Sequence, residues 1–136
     1  MLDLFAGSGA LGLEALSRGA GHVTFVEQSR RAAAAIEAVA REWRETSLTV
    51  ASMEAVQWLT QRASASPFNI VFLDPPYDSD LLSAAAAALA RPGWLAPDAR
   101  IYLERRARDE LPALPESWKE VRAGQAGEVG YHLFAT

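Results

Sequence analysis

An α/β fold with a mostly parallel central sheet, helices on both faces and a C-terminal antiparallel hairpin is predicted by three features of the sequence. Strand-like and helix-like segments alternate four times along the chain. A glycine turn, Gly7-Ser8-Gly9, separates the first strand from the first helix, and an apolar run breaks off at Asp74-Pro75-Pro76-Tyr77. Alternation of this kind implies parallel strands joined by right-handed crossovers that pack helices on either side of the sheet. No repeat, linker or low-complexity stretch divides the 136 residues, so a single domain is expected over 1–136.

In chain order, Met1 to Phe5 reads as a short strand and Ala6 to Gly9 as a turn. Ala10 to Arg18 reads as a helix with Leu11, Ala15 and Leu16 on its apolar face, stopped by Gly19 to Gly21. His22 to Glu27 is the second strand. Ser29 is placed to cap the next helix, which runs to about Glu45 with Ala32, Ile36, Val39, Ala40 and Trp43 on one stripe. Leu48 to Ala51 follows as a strand, and Ser52 as the cap of a helix from Met53 to about Arg62. Phe68 to Leu73 is a buried strand, since five of its six residues are apolar and bulky. Asp78-Ser79-Asp80 opens an alanine-rich helix that ends near Pro92-Gly93, and Arg100 to Glu104 gives a fifth strand. Trp118 to Arg122 and Glu128 to Phe134 then pair through a turn at Gly124-Gln125-Ala126-Gly127.

Composition removes several functional classes. Cysteine is absent, which excludes disulfide scaffolds, thiolate metal sites and cysteine nucleophiles. No apolar run approaches the roughly 20 residues of a membrane span, and no leader pattern is present, so the default expectation is a cytoplasmic protein without membrane contact. A net charge of −4 argues against nucleic-acid binding over the whole surface. The basic residues, all arginine except Lys119, are clustered at Arg30-Arg31, Arg41 with Arg44, and Arg105-Arg106 with Arg108. Such clusters are solvated faces or phosphate contacts. His22 and His132, each inside a strand without metal-ligand neighbours, read as structural, and the four tryptophans as packing residues.

Two stretches carry chemistry. Gly7-Ser8-Gly9-Ala10-Leu11-Gly12 matches G-x-G-x-x-G between a strand and a helix, where glycine admits a sharp turn and a close ligand. Helix-start N–H groups there favour an anionic or polar ligand. Glu27, fifteen residues past Gly12 at the end of the second strand, is placed to accept hydrogen bonds from ribose hydroxyls; the plain alternative is an acid flanking the next helix. Pro75 forces the backbone out of the sheet, so Asp74 and Tyr77 stand at the carboxyl end of a strand, where open α/β sheets hold ligands. A capping acid with a ring tucked onto the core is the structural alternative. The glycine turn and Glu27 are shared with nicotinamide-dependent dehydrogenases. The acid-tipped proline turn instead suits work on an exocyclic amino group.

The run from Leu2 to Ala15, followed by Asp74-Pro75-Pro76-Tyr77, resembles the bacterial 16S rRNA guanine-N2 methyltransferases of the RsmD type. Gly93-Trp94-Leu95, Ile101-Tyr102-Leu103-Glu104 and Gly124-Gln125-Ala126-Gly127 extend the similarity over essentially the whole chain. The resemblance implies a Rossmann-like class I S-adenosylmethionine-dependent methyltransferase fold. It implies S-adenosylmethionine as methyl donor, with Asp3 bracing a turn made by Phe5, Ala6, Gly7, Ser8 and Gly9 that holds the methionine part. Glu27 and Gln28 would meet the ribose and adenosine, and Met53 and Glu54 would flank the adenine. Asp74, which also borders the cofactor, would act with Pro75, Pro76 and Tyr77 on the target base.

Guanine N2 is a weak nucleophile because its lone pair is conjugated into the ring. Asp74 and the Pro75 carbonyl can accept both amino hydrogens and favour a pyramidal nitrogen, while Tyr77 stacks on the extruded base. A cationic donor leaving as a neutral group needs no metal. The implied partner is 16S rRNA, within the small ribosomal subunit or an assembly intermediate, met by a monomer. The resembled family also carries a basic segment and a covering helix ahead of the first strand, whereas Met1 here falls where that strand is under way. The same motifs serve adenine-N6 methyltransferases on DNA or RNA, and a non-catalytic cofactor-binding fragment would keep the glycine turn without the transfer.

Overall fold

The computed structural model describes residues 1–61, 66–77 and 79–136. Its strands are β1 (Leu2–Asp3), β2 (Val23–Glu27), β3 (Leu48–Ser52), β4 (Phe68–Leu73), β5 (Leu95–Arg106), β6 (Lys119–Ala126) and β7 (Val129–Ala135). Its helices are α1 (Ala10–Ser17), α2 (Arg30–Glu42), α3 (Ala55–Thr60) and α4 (Leu81–Leu89). The seven strands form one sheet in the order β3-β2-β1-β4-β5-β7-β6. All pairs from β3 to β5 are parallel, and β7 runs antiparallel to both of its neighbours. The chain starts in the middle of the sheet, steps outward to β2 and β3, then returns to the other side of β1 with β4. Strand order therefore reverses between β1 and β4, and the crevice outside their carboxyl ends is where such sheets bind ligands.

Alternate residues of the strands feed two cores. Leu2, Leu4, Val71, Leu73, Ile101 and Leu103 pack under α3 and α4. Ala85 and Ala86 of α4 have no exposed surface, so the alanines let that helix lie close rather than signalling disorder. Trp94 stacks on Phe68 at 6.4 Å and leans on Trp58 at 5.1 Å, closing the far end of this core. On the opposite face Val23 and Phe25 pack against Leu13, Leu16 and Ile36 of α1 and α2. Each such apolar side chain contributes about 1.5–3 kcal/mol on burial.

Local departures from the sequence expectations have physical causes. Helix α1 buries Gly12, Leu13 and Leu16, leaving Leu11 40% exposed. Gly12 lies so close to Phe25 that a Cβ would stand 2.2 Å from its ring, so the contact line runs through a residue without a side chain. Helix α2 buries Ala33, Ile36 and Ala40, and Trp43, just beyond its last residue, is 51% exposed. Ser52 is the last residue of β3, paired with Glu27, and does not cap α3. Glu54 does so instead, accepting from Val56 N at 3.1 Å and Gln57 N at 2.7 Å. The expected end of this helix at Arg62 and the start of the next at Asp78 lie outside the described residues; α4 follows Asp80, whose side chain makes no cap bond.

Strand β5 begins at Leu95 rather than Arg100, because the chain bulges through Pro97 and a positive-φ Asp98 (59°) before resuming its pairing with β4. Gly124 to Ala126 belong to β6, not to the turn, which is Gly127-Glu128. Gly124 is a strand position kept bare because the Tyr131 hydroxyl would lie 2.3 Å from a Cβ there.

Candidate active site at the strand ends

The turn after β1 is fastened to the sheet on both sides: Leu4 N–H donates to Phe72 O at 3.3 Å and Ala6 N–H to Val26 O at 3.0 Å. Gly7 and Gly9 both take positive φ (57° and 78°), which side chains rarely adopt. A Cβ on Gly7 would meet nothing within 4 Å, whereas one on Gly9 would lie 2.8 Å from Ile36. Gly7 is thus the open floor of a binding crevice, and Gly9 a packing contact that seats α1 on α2.

Asp3 lies beneath this turn, 3% exposed, with Oδ2 accepting from Gly12 N–H at 3.2 Å. Burial pushes its carboxyl up to about 6, opposed by the Gly12 hydrogen bond and reinforced by the negative charges of Asp74 and Glu27. Glu27 joins the turn to the next helix. Its Oε1 accepts from Gly7 N–H at 3.2 Å and its Oε2 from Ser29 N–H at 2.7 Å. Ser29 in turn caps α2 by accepting from Ala32 N–H at 3.2 Å. The helix-flanking role foreseen for Glu27 is thus present, and each of its oxygens keeps a further lone pair.

Gly7, Glu27 and Ser29 border a cavity of about 810 Å³. One wall carries Phe5, Gly7, Glu27 and Gln28; a second carries Met53 and Glu54, with Met53 N–H tied to Glu27 O at 3.1 Å. The third is Asp74, Pro75, Pro76 and Tyr77, leaving β4 as the prolines require. Glu104 of β5 closes the space beside Asp74. Asp74 is held up at about 6 by partial loss of water first, then by the charge of Glu104 and a hydrogen bond to it. Glu104 Oε1 accepts from Tyr102 Oη at 2.9 Å, and burial first, then this contact, pushes the phenol up to about 12. Tyr77 is 39% exposed, with the Arg106 guanidinium 5.2 Å from its ring centre. Among the described residues no group of three or more His, Asp or Glu is placed to hold a metal.

The family profile for conserved hypothetical protein 95 matches residues 1–135. The chain belongs to this family. It is 40% identical over 133 residues to the ribosomal RNA small subunit methyltransferase D of Escherichia coli K12, covering 98% of this chain and 66% of that protein. The protein of the same name from Haemophilus influenzae is 36% identical over 135 residues, covering 98% of this chain and 69% of that one. The chain thus spans about two thirds of the length of these relatives. A solved structure described as a putative methyltransferase from E. coli superposes with TM-score 0.93 at 39% identity, over 98% of this chain and 75% of that one. The sheet order, the flanking helices and this likeness establish the class I methyltransferase architecture.

Within that family frame, most residues singled out in the sequence converge on one cavity. Asp3, Ala6, Ser8 and Gly9 do not border it: Asp3 supports the turn from below through Gly12, Ala6 packs into the smaller core, and Ser8 is exposed on the turn's outer side. Glu104 was not assigned to the site by sequence reasoning, and Arg106 only as one of a basic cluster that meets solvent or RNA phosphates. The signal for Glu104 is the two-residue alternation of β5, which buries Ile101 and Leu103 and turns Tyr102 and Glu104 to the other face. His132, read as structural, is buried between Arg105 and Glu120: Arg105 Nε donates to its Nε2 at 3.0 Å, so Nδ1 carries the proton and donates to Glu120 Oε2 at 3.2 Å. His22 stands just ahead of β2 and contacts Thr49 Oγ1 at 3.0 Å.

Proposed function

We propose that this chain is the methyl-transfer domain of an enzyme that methylates the exocyclic N2 of a guanine in small-subunit ribosomal RNA, using S-adenosylmethionine. The observation that carries the reading is the meeting of two walls in one cavity: the glycine turn with Glu27, and Asp74 to Tyr77 with Glu104. The relatives' printed names support rRNA as the substrate class.

The donor side fits. The bare face of Gly7 leaves room for a close ligand, and Glu27 retains acceptor capacity for ribose hydroxyls although it already binds two N–H groups. Gln28 sits beside it, and Met53 and Glu54 form the wall against which an adenine would rest. When bound, S-adenosylmethionine supplies an electrophilic methyl group on a cationic sulfur.

On the acceptor side, Tyr77 stacks on a base taken out of its strand. Asp74 and the Pro75 carbonyl accept the two amino hydrogens, which turns the nitrogen lone pair out of conjugation. As the carbon–nitrogen bond forms, the nitrogen gives up one proton. Asp74, with Glu104 lining the cavity beside it, is the acceptor at hand. The enzyme would act as a cytoplasmic monomer on 16S rRNA, in the small subunit or an assembly intermediate.

Nucleoside mass spectrometry after incubation with unmodified small subunits, naked rRNA and DNA tests the base assignment. N2-methylguanosine in rRNA is expected. N6-methyladenosine, or methylation confined to DNA, would overturn the guanine reading.

A further inference from the structure

A second cavity, of about 540 Å³, adjoins the first and shares Tyr77 with it. Arg106, Arg108, Gln125, Gly127 and Glu128 supply its other walls. Two guanidinium groups thus stand around an open cavity on the far side of the ring that faces the target base.

The floor is rigidly built. Arg105 turns away from the cavity and donates to the carbonyls of Arg106, Ala107 and Asp109 while holding His132. Asp109 N–H closes the same turn on Arg106 O at 2.9 Å, and Ala107 N–H fastens it to Glu128 O at 2.7 Å at the tip of the β6–β7 hairpin. Gln125 braces that tip by donating to Gly127 O at 3.0 Å. One arginine of the cluster is therefore a positioning residue, and the other two are presented on a turn it locks. Arg106 lies over the Tyr77 ring, coupling this cavity to the base wall.

We propose that this cavity is an RNA-backbone subsite, in which Arg106 and Arg108 hold the phosphodiester next to the target nucleotide. The proposal rests on the reading of Tyr77 as a base-stacking residue. Planar guanidinium forks suit phosphate oxygens. A contact of this kind fixes register without reading sequence, which matches a chain whose net charge of −4 leaves little general attraction for RNA.

The test is the affinity of the chain for a single-stranded rRNA oligonucleotide across a salt series, by fluorescence anisotropy. Wild type is compared with Arg106→Gln, Arg108→Ala and Arg91→Ala, the last an exposed arginine at the other end of the strands. Arg106→Gln and Arg108→Ala should each weaken binding several-fold and lower the log–log salt slope by about 0.7, the value for one phosphate contact on a single strand. Arg91→Ala should change neither. Unchanged affinity and slope in both cavity variants, with rRNA methylation by the wild type intact, would overturn the subsite alone. A wild-type chain that neither binds nor methylates RNA would overturn the underlying reading as well.

Discussion

Asp74, just past the end of β4, and Glu104, on the neighbouring strand β5, line the same cavity. Partial loss of water and the like charge of Glu104 both disfavour ionisation of Asp74. The pair therefore couples this wall of the cavity to pH. Asp74, raised to about 6, must be ionised to accept the amino hydrogens, so methyl transfer should fall as pH drops through about 6. Replacing Glu104 with Gln removes the like charge, and the acidic limb of the pH–rate profile should move to lower pH. A limb that stays in place would separate Glu104 from the chemistry.

Asp3 makes a prediction about stability. Its carboxyl is raised from 3.8 to about 6 by burial, so the folded chain holds this proton more tightly than the unfolded chain. The associated stability is complete below about 3.8 and is lost as pH rises through about 6. An Asp3→Asn variant keeps an oxygen for Gly12 N–H without the buried charge. Thermal melts should show it gaining on the wild type between pH 4 and pH 7, by on the order of 3 kcal/mol at most.

The contact of Gly12 with Phe25 should be sharply intolerant. A Gly12→Ala side chain would be 2.2 Å from Cε1 of that ring, and Phe25 has no exposed surface into which to move. Overpacking of this kind costs about 1–3 kcal/mol. Urea unfolding should register that loss, and the double variant with Phe25→Leu should recover part of it.

Tyr77 contributes a ring face rather than its hydroxyl in this account. Tyr77→Phe should leave methyl transfer within a few-fold of wild type. Tyr77→Ala should raise KM for RNA by roughly 10-fold or more, since base stacking is worth about 1–3 kcal/mol. Steady-state kinetics with rRNA as the varied substrate distinguishes the two.

The mostly parallel sheet and the two stretches that line the cavity were legible because each rests on a short-range rule, whereas the strand order with its reversal between β1 and β4 came from the structure. Apolar runs mark buried strands, prolines end them, and an acid at a strand end faces the crevice, as Glu27 and Asp74 do. What escaped depends on tertiary neighbours. Counting apolar residues placed Leu11 on the buried face of α1, because the true contact line contains Gly12, whose lack of a side chain is the reason it fits against Phe25. Gly124 passes for a turn residue until Tyr131 is seen lying over it. Ser52 looks like a cap, but β3 extends through it, and Glu54 reaches two N–H groups instead of one. The alternation of β5 gives the face of Glu104, but only the pairing of β4 with β5 sets it beside Asp74.

Transfer of a labelled methyl group from S-adenosylmethionine to unmethylated small subunits and to naked 16S rRNA, by the wild-type chain and by Asp74→Ala, tests the central claim most directly. Label should enter rRNA with the wild type and fall by about a hundredfold or more with Asp74→Ala, while donor binding measured by calorimetry persists. Equal incorporation by the two proteins, or none by the wild type on either substrate, would contradict the account.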